Sequence, residues 1–264
     1  MCILISCESG GANLPAQLLR SHPSANETDS PHPESTANEA VTANKKLSGN
    51  ADVAAQYASR RMSERLGAPL MQYQYSLDAI DVTRSLRHPK LFSKDARKLS
   101  ADDRQQLIND YYLPYRSAVK HSLRQMMRRH RYVVHLSVRT FDLLGPKQKR
   151  RRADVGLLYD PACDDESDLS ADWAEELYFE ADMLKIRRNY PRRGTVESLT
   201  KAMRSEFQGQ QTGPARNTNQ TYLGIEILLN RAWAGRAIQV RDTAIDQLCD
   251  TLRAALQLQQ SEAA

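Results

Sequence analysis

The most informative hydrophobic pattern lies at 132–161, YVVHLSVRTFDLLGPKQKRRRADVGLLYDP, which predicts two buried strands joined by a basic loop. Successive side chains of a strand point to opposite faces. Val134, Leu136 and Val138 therefore share one face, and His135, Ser137 and Arg139 share the other. The β-branched content marks the segment as interior. Its second face must then supply partners for three polar groups, because desolvating them unpaired is unfavourable. Two readings stand side by side. One is a satisfied core histidine with a surface arginine at the strand end. The other is an arginine at the carboxyl end of a central strand, looking into an active-site crevice.

The same alternation runs along the rest of the chain. An apolar run at 3–6 predicts a strand ending in Glu8, Ser9 and the pair Gly10 and Gly11, which suits a sharp turn or a close backbone approach. Val53, Tyr57, Met62 and Leu66 recur at helical spacing, and Gly67 closes that helix. A strand is expected at 69–75, followed by a loop crowded with Asp78, Asp81, Arg84, Arg87 and His88. Ser100 with Asp103 opens a helix carrying Leu107, Tyr111, Tyr115, Val119, Leu123 and Met127, which Pro114 should kink or divide. Then come an acidic patch at 164–172, a helix at 173–182, a strand at 183–188 and the arginine-rich loop NYPRRGT. Thr195 and Glu197 open a further helix through Met203 to Phe207, a strand at 222–229 is interrupted by Glu226, and an amphipathic helix at 242–258 closes the chain.

Such alternation predicts an α/β fold in three layers, with a mostly parallel or mixed sheet covered by helices on both faces. The 264 residues, 41% of them hydrophobic, suffice for one sizeable core, so a single domain is expected over 1–264. Within it, the Ser-, Pro- and Asn-rich stretch at 22–49 reads as a disordered insertion and 208–220 as a flexible loop. No run approaches the roughly 20 apolar residues of a membrane span, and CILIS at 2–6 is too short for a signal-peptide core, which favours a cytoplasmic protein without a membrane partner. Cys2, Cys7, Cys163 and Cys249 form no CxxC pair, which suits a reducing compartment rather than a disulfide framework or a structural zinc site.

A net charge of +5 is compatible with an anionic ligand or with nucleic acid. The run KQKRRR at 147–152 is short, acidic patches follow it, and aromatics make up only 6% of the chain, so a solvated loop is favoured over a nucleic-acid face. Polar groups recur where strands end: Glu8 and Ser9, Asp81 and Arg84, His135 and Arg139, Asp154, Arg188 and Glu226. If they meet, the carboxylates serve acid/base work and the arginines bind a carboxylate or phosphate. There is no GxSxG, GxGxxG, GK[ST] or HExxH motif. Ser9 or Ser137 as nucleophile with His135 as base is a further, non-metal arrangement.

Taken together, several stretches resemble the N-formylglutamate amidohydrolase family, particularly its branch of predicted members. CESGGANLP is similar to that branch's C-E-H-G-G-N-x-x-P signature, Asp52 with Ala54 and Ala55 to its D-x-G-A helix start, and IDVTRSLRHPKLFS to its D-x-N-R-S segment. VVHLSVRTF resembles its H-x-S-V-H-S-F strand, and ADVGLLYDP, RRNYPRRGT and YLGIEILLN resemble its later signatures. The resemblance implies a fold akin to zinc carboxypeptidases and metal-dependent hydrolysis of the amide bond of a small acidic N-acyl amino acid. It also implies Glu226 as general base, with Arg84, Arg188 and Arg193 as substrate clamps. The departures fall on the metal. Ser9 and Arg139 stand where the family has histidines, and Ser48 or Gly49 stands where it often has a third. Serine is a poor zinc ligand and an arginine cation repels the ion.

Three readings are therefore carried forward. The first is a hydrolase whose metal site is rebuilt from Glu8, Asp81, His135 and Glu226. The second is a member without catalysis that keeps a pocket for a small anionic metabolite, with Arg139 in place of the metal charge and paired with Glu8, Asp81 or Glu226. The third is a nucleic-acid binder using 147–152.

Overall fold

The computed structural model describes residues 2–21, 49–181, 183–207 and 220–262. The expected insertion at 22–49 and loop at 208–220 therefore lie outside the described residues, apart from Gly49 and Gln220. Six strands form one sheet: β1 (Cys2–Cys7), β2 (Leu70–Gln72), β3 (Tyr132–Phe141), β4 (Val155–Leu158), β5 (Ile186–Arg188) and β6 (Thr221–Asn230). Their order across the sheet is β2-β1-β3-β6-β4-β5. β2, β1, β3 and β6 run parallel, while β4 runs antiparallel to β6 and parallel to β5. The sheet is thus mixed. β3 and β4, neighbours in sequence, are separated by β6, so the basic loop does not join a hairpin.

Helices cover both faces: α1 (Ala16–Ser21), α2 (Val53–Leu66), α3 (Ala101–Leu107), α4 (Leu113–Met127), α5 (Asp164–Glu180), α6 (Leu199–Phe207) and α7 (Ile238–Glu262). The face carrying Val134, Leu136 and Val138 packs with Ile225 and Ile227 beneath α2, α5 and α7. Burying each such side chain is worth about 1.5–3 kcal/mol, so this layer holds most of the apolar stabilisation. Trp173 locks α5 onto α7 by donating from Nε1 to the Leu248 carbonyl (3.2 Å) and to Thr251 Oγ1 (3.1 Å). The opposite face packs Leu4, Val133 and Tyr222 against α4 and α6.

Several boundaries differ from the sequence expectation for local physical reasons. α5 begins at Asp164, because the acidic patch forms its first turn, where Asp164, Asp165 and Glu166 favour the positive end of the helix. Pro114 does not divide its helix. A π-helical stretch, Ile108–Tyr112, precedes it and places the proline in the first turn of α4, where its missing N–H costs no bond. Glu197 does not open α6. It accepts from Ser85 N (2.6 Å) and pairs with His88 Nε2 (3.3 Å), and the helix starts two residues later at Leu199. The loop after β2 is not merely solvated: Ile80, Val82 and Leu91 bury themselves with Tyr73 and Tyr112 in a core of their own.

Candidate ligand-binding site

On the face turned towards α4 and α6, three parallel strands change character along their length. β1 reads Leu4, Ser6, then Glu8; β3 reads Val133, His135, Ser137, Arg139; β6 reads Tyr222, Gly224, Glu226. The register sets His135 beside Leu4 and Gly224, and Ser137 beside Ser6 and Glu226. The apolar end is gripped by α4 and α6, and the charged end lies at the carboxyl edge of the sheet, where open α/β sheets hold their ligands. Ser6, Glu8, His135, Ser137 and Glu226 are all buried.

These groups form one directed hydrogen-bond chain. Ser6 Oγ donates to Glu8 Oε1 (2.5 Å) and Ser137 Oγ donates to Glu8 Oε2 (2.7 Å). With its only proton spent on Glu8, Ser6 must accept from His135 Nε2 (2.8 Å). That fixes the imidazole as the Nε2–H tautomer, and Nδ1 accepts from the Tyr222 hydroxyl (2.8 Å). Burial, with Arg204 nearby, pushes the His135 pKa down to about 3, so the ring is neutral. Gly224 makes the chain possible: a Cβ there would meet the Tyr222 hydroxyl at 2.8 Å. Burial pushes the Glu8 carboxyl up, against the opposing pull of Arg139 and the two serine hydroxyls.

Arg139, half-buried at the end of β3, donates no hydrogen bond to any described residue. Burial works against its charge, but Glu8, Asp81, Glu226 and Asp52 outweigh that and raise its pKa. Three of these carboxylates have further partners of their own. Asp81 accepts from Thr83 N (3.0 Å), Thr83 Oγ1 (2.6 Å) and Arg84 Nε (3.2 Å). Asp52 caps α2 through Ala55 N (3.1 Å) and also accepts from Thr140 N (3.1 Å), Thr140 Oγ1 (2.7 Å) and Ser9 Oγ (3.3 Å). Glu226 accepts from Thr200 Oγ1 (3.2 Å) and is paired with Arg192. The strand-end glycines act by close approach: a Cβ on Gly11 would sit 2.2 Å from the Gln74 carbonyl carbon.

Arg192 is the site residue that sequence reasoning missed. The loop that delivers it is pinned by Asn189 Oδ1, which accepts from Gly194 N (2.8 Å) and Tyr159 N (3.3 Å). Gly156 on β4 lets the loop pass, since a Cβ there would fall 1.8 Å from the Tyr190 carbonyl oxygen. Arg188 and Arg193, the sequence candidates, are exposed. In NYPRRGT nothing local distinguishes Arg192 from Arg193; only the path of the loop does. The structure brings together Glu8, His135, Arg139, Asp81, Arg84 and Glu226, but His135 is bonded to Ser6 rather than to Ser9 or Ser137. The 147–152 run lies in an exposed loop, from which Arg151 turns back to the Asp142 carbonyl (3.0 Å).

Comparison with known proteins bears on this arrangement. The family model described as "FGase: N-formylglutamate amidohydrolase" matches residues 1–230. The chain belongs to the N-formylglutamate amidohydrolase family. A crystal structure of a gene product from Agrobacterium tumefaciens superposes with a TM-score of 0.72 at 18% identity, covering 98% of this chain and 91% of that one. A crystallised N-formylglutamate amidohydrolase from Ralstonia eutropha JMP134 gives a TM-score of 0.61 at 18% identity, covering 98% and 95%. Both show the shared fold. No curated protein matches by sequence.

The family's zinc chemistry can be tested against the donor set here. A catalytic zinc takes three protein ligands with free lone pairs. His135 spends one ring nitrogen as a donor to Ser6 and the other as an acceptor from Tyr222, Ser9 donates to Asp52, and Arg139 brings a cation into the cluster. Among the described residues no three His, Cys, Asp or Glu side chains are placed to hold a metal. The residues present do not fit zinc. Also among the described residues, no helix is long and apolar enough to cross a membrane.

Proposed function

We propose that this member of the amidohydrolase family binds a small acidic N-acyl amino acid through Arg139 and does so without zinc. The observation that carries the reading is the Arg139 guanidinium: charged, at the carboxyl edge of the sheet, and donating to no described residue. A planar guanidinium with unmatched N–H groups takes a carboxylate in bidentate fashion. Asp81 and Glu226 are already paired with Arg84 and Arg192 and Asp52 caps α2, whereas Glu8 accepts only from the Ser6 and Ser137 hydroxyls, so Glu8 is the carboxylate that competes with the ligand for Arg139. Glu8 is the group whose pKa burial raises, and a proton taken up there frees Arg139 for the incoming anion. Ligand capture is then coupled to proton uptake, which is how the same site lacks a free base for hydrolysis yet holds an acid.

The test is calorimetric titration of the full chain with N-formylglutamate in buffers of different ionisation heat, with formate release followed in parallel with and without added zinc. The expected result is binding accompanied by proton uptake, tighter as pH falls, weakened about 10- to 100-fold in Arg139→Ala, and made insensitive to pH in Glu8→Gln. Zinc-dependent formate release, or binding unchanged in Arg139→Ala, would overturn the proposal.

A further inference from the structure

Three cations on α4, Arg116, Lys120 and Arg124, recur every four residues and so share one stripe of the helix. Lys120 and Arg124 both pair with Glu206 on α6, at 2.8 and 3.0 Å. Arg116, one turn nearer the start of the helix, is held differently. Its Nη1 donates to the Val82 carbonyl (2.8 Å) and more weakly to the Arg84 carbonyl (3.4 Å), and its guanidinium lies over the Tyr112 ring, 5.1 Å from the centroid. The group is thus pinned by backbone and ring, while its Nε–Nη2 edge has no acceptor among the described residues. Such an edge grips a carboxylate with two parallel hydrogen bonds.

Arg116 lines a cavity of about 250 Å³ together with Thr83, Ser85, Glu197, Ser198 and Lys201. That is smaller than the roughly 300–1,000 Å³ of a drug-sized pocket, so its ligand is a small molecule. One side is cationic: Arg116 and the exposed Lys201, which is in no ion pair among the described residues. The other side can only accept. Glu197 is bonded by Ser85 N (2.6 Å) and His88 Nε2 (3.3 Å), and hydrogen bonding from Ser85 holds its carboxyl below the ordinary range, so it keeps its charge. The Thr83 hydroxyl spends its proton on Asp81 (2.6 Å). Ser198 spends its own on Thr200 (3.0 Å), whose proton goes to Glu226 (3.2 Å). A plain carboxylate here would meet Glu197, and a plain amine would meet Arg116. A molecule carrying both charges satisfies both sides. We propose that this cavity binds a free α-amino acid, its carboxylate on Arg116 and Lys201 and its ammonium towards Glu197, Thr83 and Ser198. Glu197 is not among the four carboxylates that hold Arg139, so this site is separate from that cluster and its test does not depend on the ligand-binding reading.

The experiment is thermal unfolding of the full chain with each common L-amino acid in turn, followed by calorimetric titration with the one that raises Tm most, its N-acetyl derivative and its α-amide. The titrations are repeated in Arg139→Ala, so that only the cavity is read. The expected result is that the free amino acid binds at least about tenfold more tightly than either derivative, because each derivative leaves one side of the cavity unmatched. Arg116→Gln should weaken it about 10- to 100-fold. Lys201→Ala, at an exposed position that the fold does not need, should weaken it about two- to fivefold. Glu197→Gln should narrow the preference for the amino acid over its N-acetyl derivative. A wild type stabilised by no amino acid overturns the proposal, as does equal binding of the α-amide or the N-acetyl derivative in Arg139→Ala. Binding that is lost in Arg139→Ala but kept in Arg116→Gln and Lys201→Ala also overturns it, and assigns the amino acid to the Arg139 cluster.

Discussion

Two arginines within one domain, Arg204 buried and Arg139 half-buried, are treated in opposite ways. Arg204 is matched at every nitrogen: Nε donates to both Glu166 oxygens (2.8 and 3.0 Å), one terminal nitrogen to the Gly194 carbonyl (3.0 Å) and the other to the Gly224 carbonyl (2.5 Å). Glu166 in turn accepts from Asp160 N (2.8 Å) and Gly224 N (2.7 Å). The pair ties α5, α6, β6 and the loop before α6 into one unit. Arg139, a short distance along the sheet, is held by the field of four carboxylates and by no hydrogen bond to a described residue. A matched buried pair is framework, because each of its nitrogens already holds an acceptor within the protein. A charged group whose donors are unmatched is stabilised only by its surroundings and keeps its hydrogen bonds for a ligand.

The largest effect that would break this contrast comes from the pair itself. Arg204→Met should lose about 3–5 kcal/mol, since it leaves Glu166 buried without its cation. Arg139→Met should lose less than about 1.5 kcal/mol, because Glu8 can answer by keeping its proton. Urea denaturation of both variants decides the matter. Equal losses would mean that Arg139 too is framework.

A middle-sized effect comes from His135. Its folded pKa lies below the ordinary value, so the unfolded chain binds the proton first as pH falls. The stability that His135 contributes is present above about 6.5 and is lost as pH drops towards 3, at about 1.4 kcal/mol per unit. Glu8 and Glu166, raised in the folded state, act in the opposite sense over the lower part of that window. The difference between wild type and His135→Gln isolates the imidazole. Between pH 7 and pH 5 the wild type should lose about 2 kcal/mol more than the variant. Parallel profiles would show that the folded ring takes up its proton as readily as the unfolded one.

The smallest effect sharpens the edge of the site. Asp52→Ala removes the cap of α2 and both Thr140 contacts, and should cost about 1–2 kcal/mol. Ser9→Ala removes one 3.3 Å hydrogen bond to the same carboxylate and should cost about 0.5 kcal/mol. If Ser9→Ala were the costlier in thermal denaturation, Ser9 would be holding something beyond Asp52.

Much of the fold could be read from local pattern. The division of β3 into an apolar face and a His135, Ser137, Arg139 face follows from the period of two, and the caps at Asp52 and Ser100 follow from side chains that reach only three residues. Part of the site could be read the same way, as polar residues at the carboxyl ends of three strands. What could not be read was the set of partners. Ser6 gave no signal of its own, and Tyr222 looked like an ordinary core aromatic until Gly224 let its hydroxyl reach His135.

The sequence by itself determined which residues face together within each element, because that depends on bond geometry over a few residues. It also determined the family, through the order of motifs along the chain. The tertiary structure alone decided that β6 would enter between β3 and β4, that Ser6, Ser137 and Glu226 would stand in one row, and that Arg192 rather than Arg188 or Arg193 would reach Glu226. Those outcomes rest on register between strands distant in the chain and on the path of a loop. Both are fixed by the summed packing of the whole core rather than by any residue's neighbours.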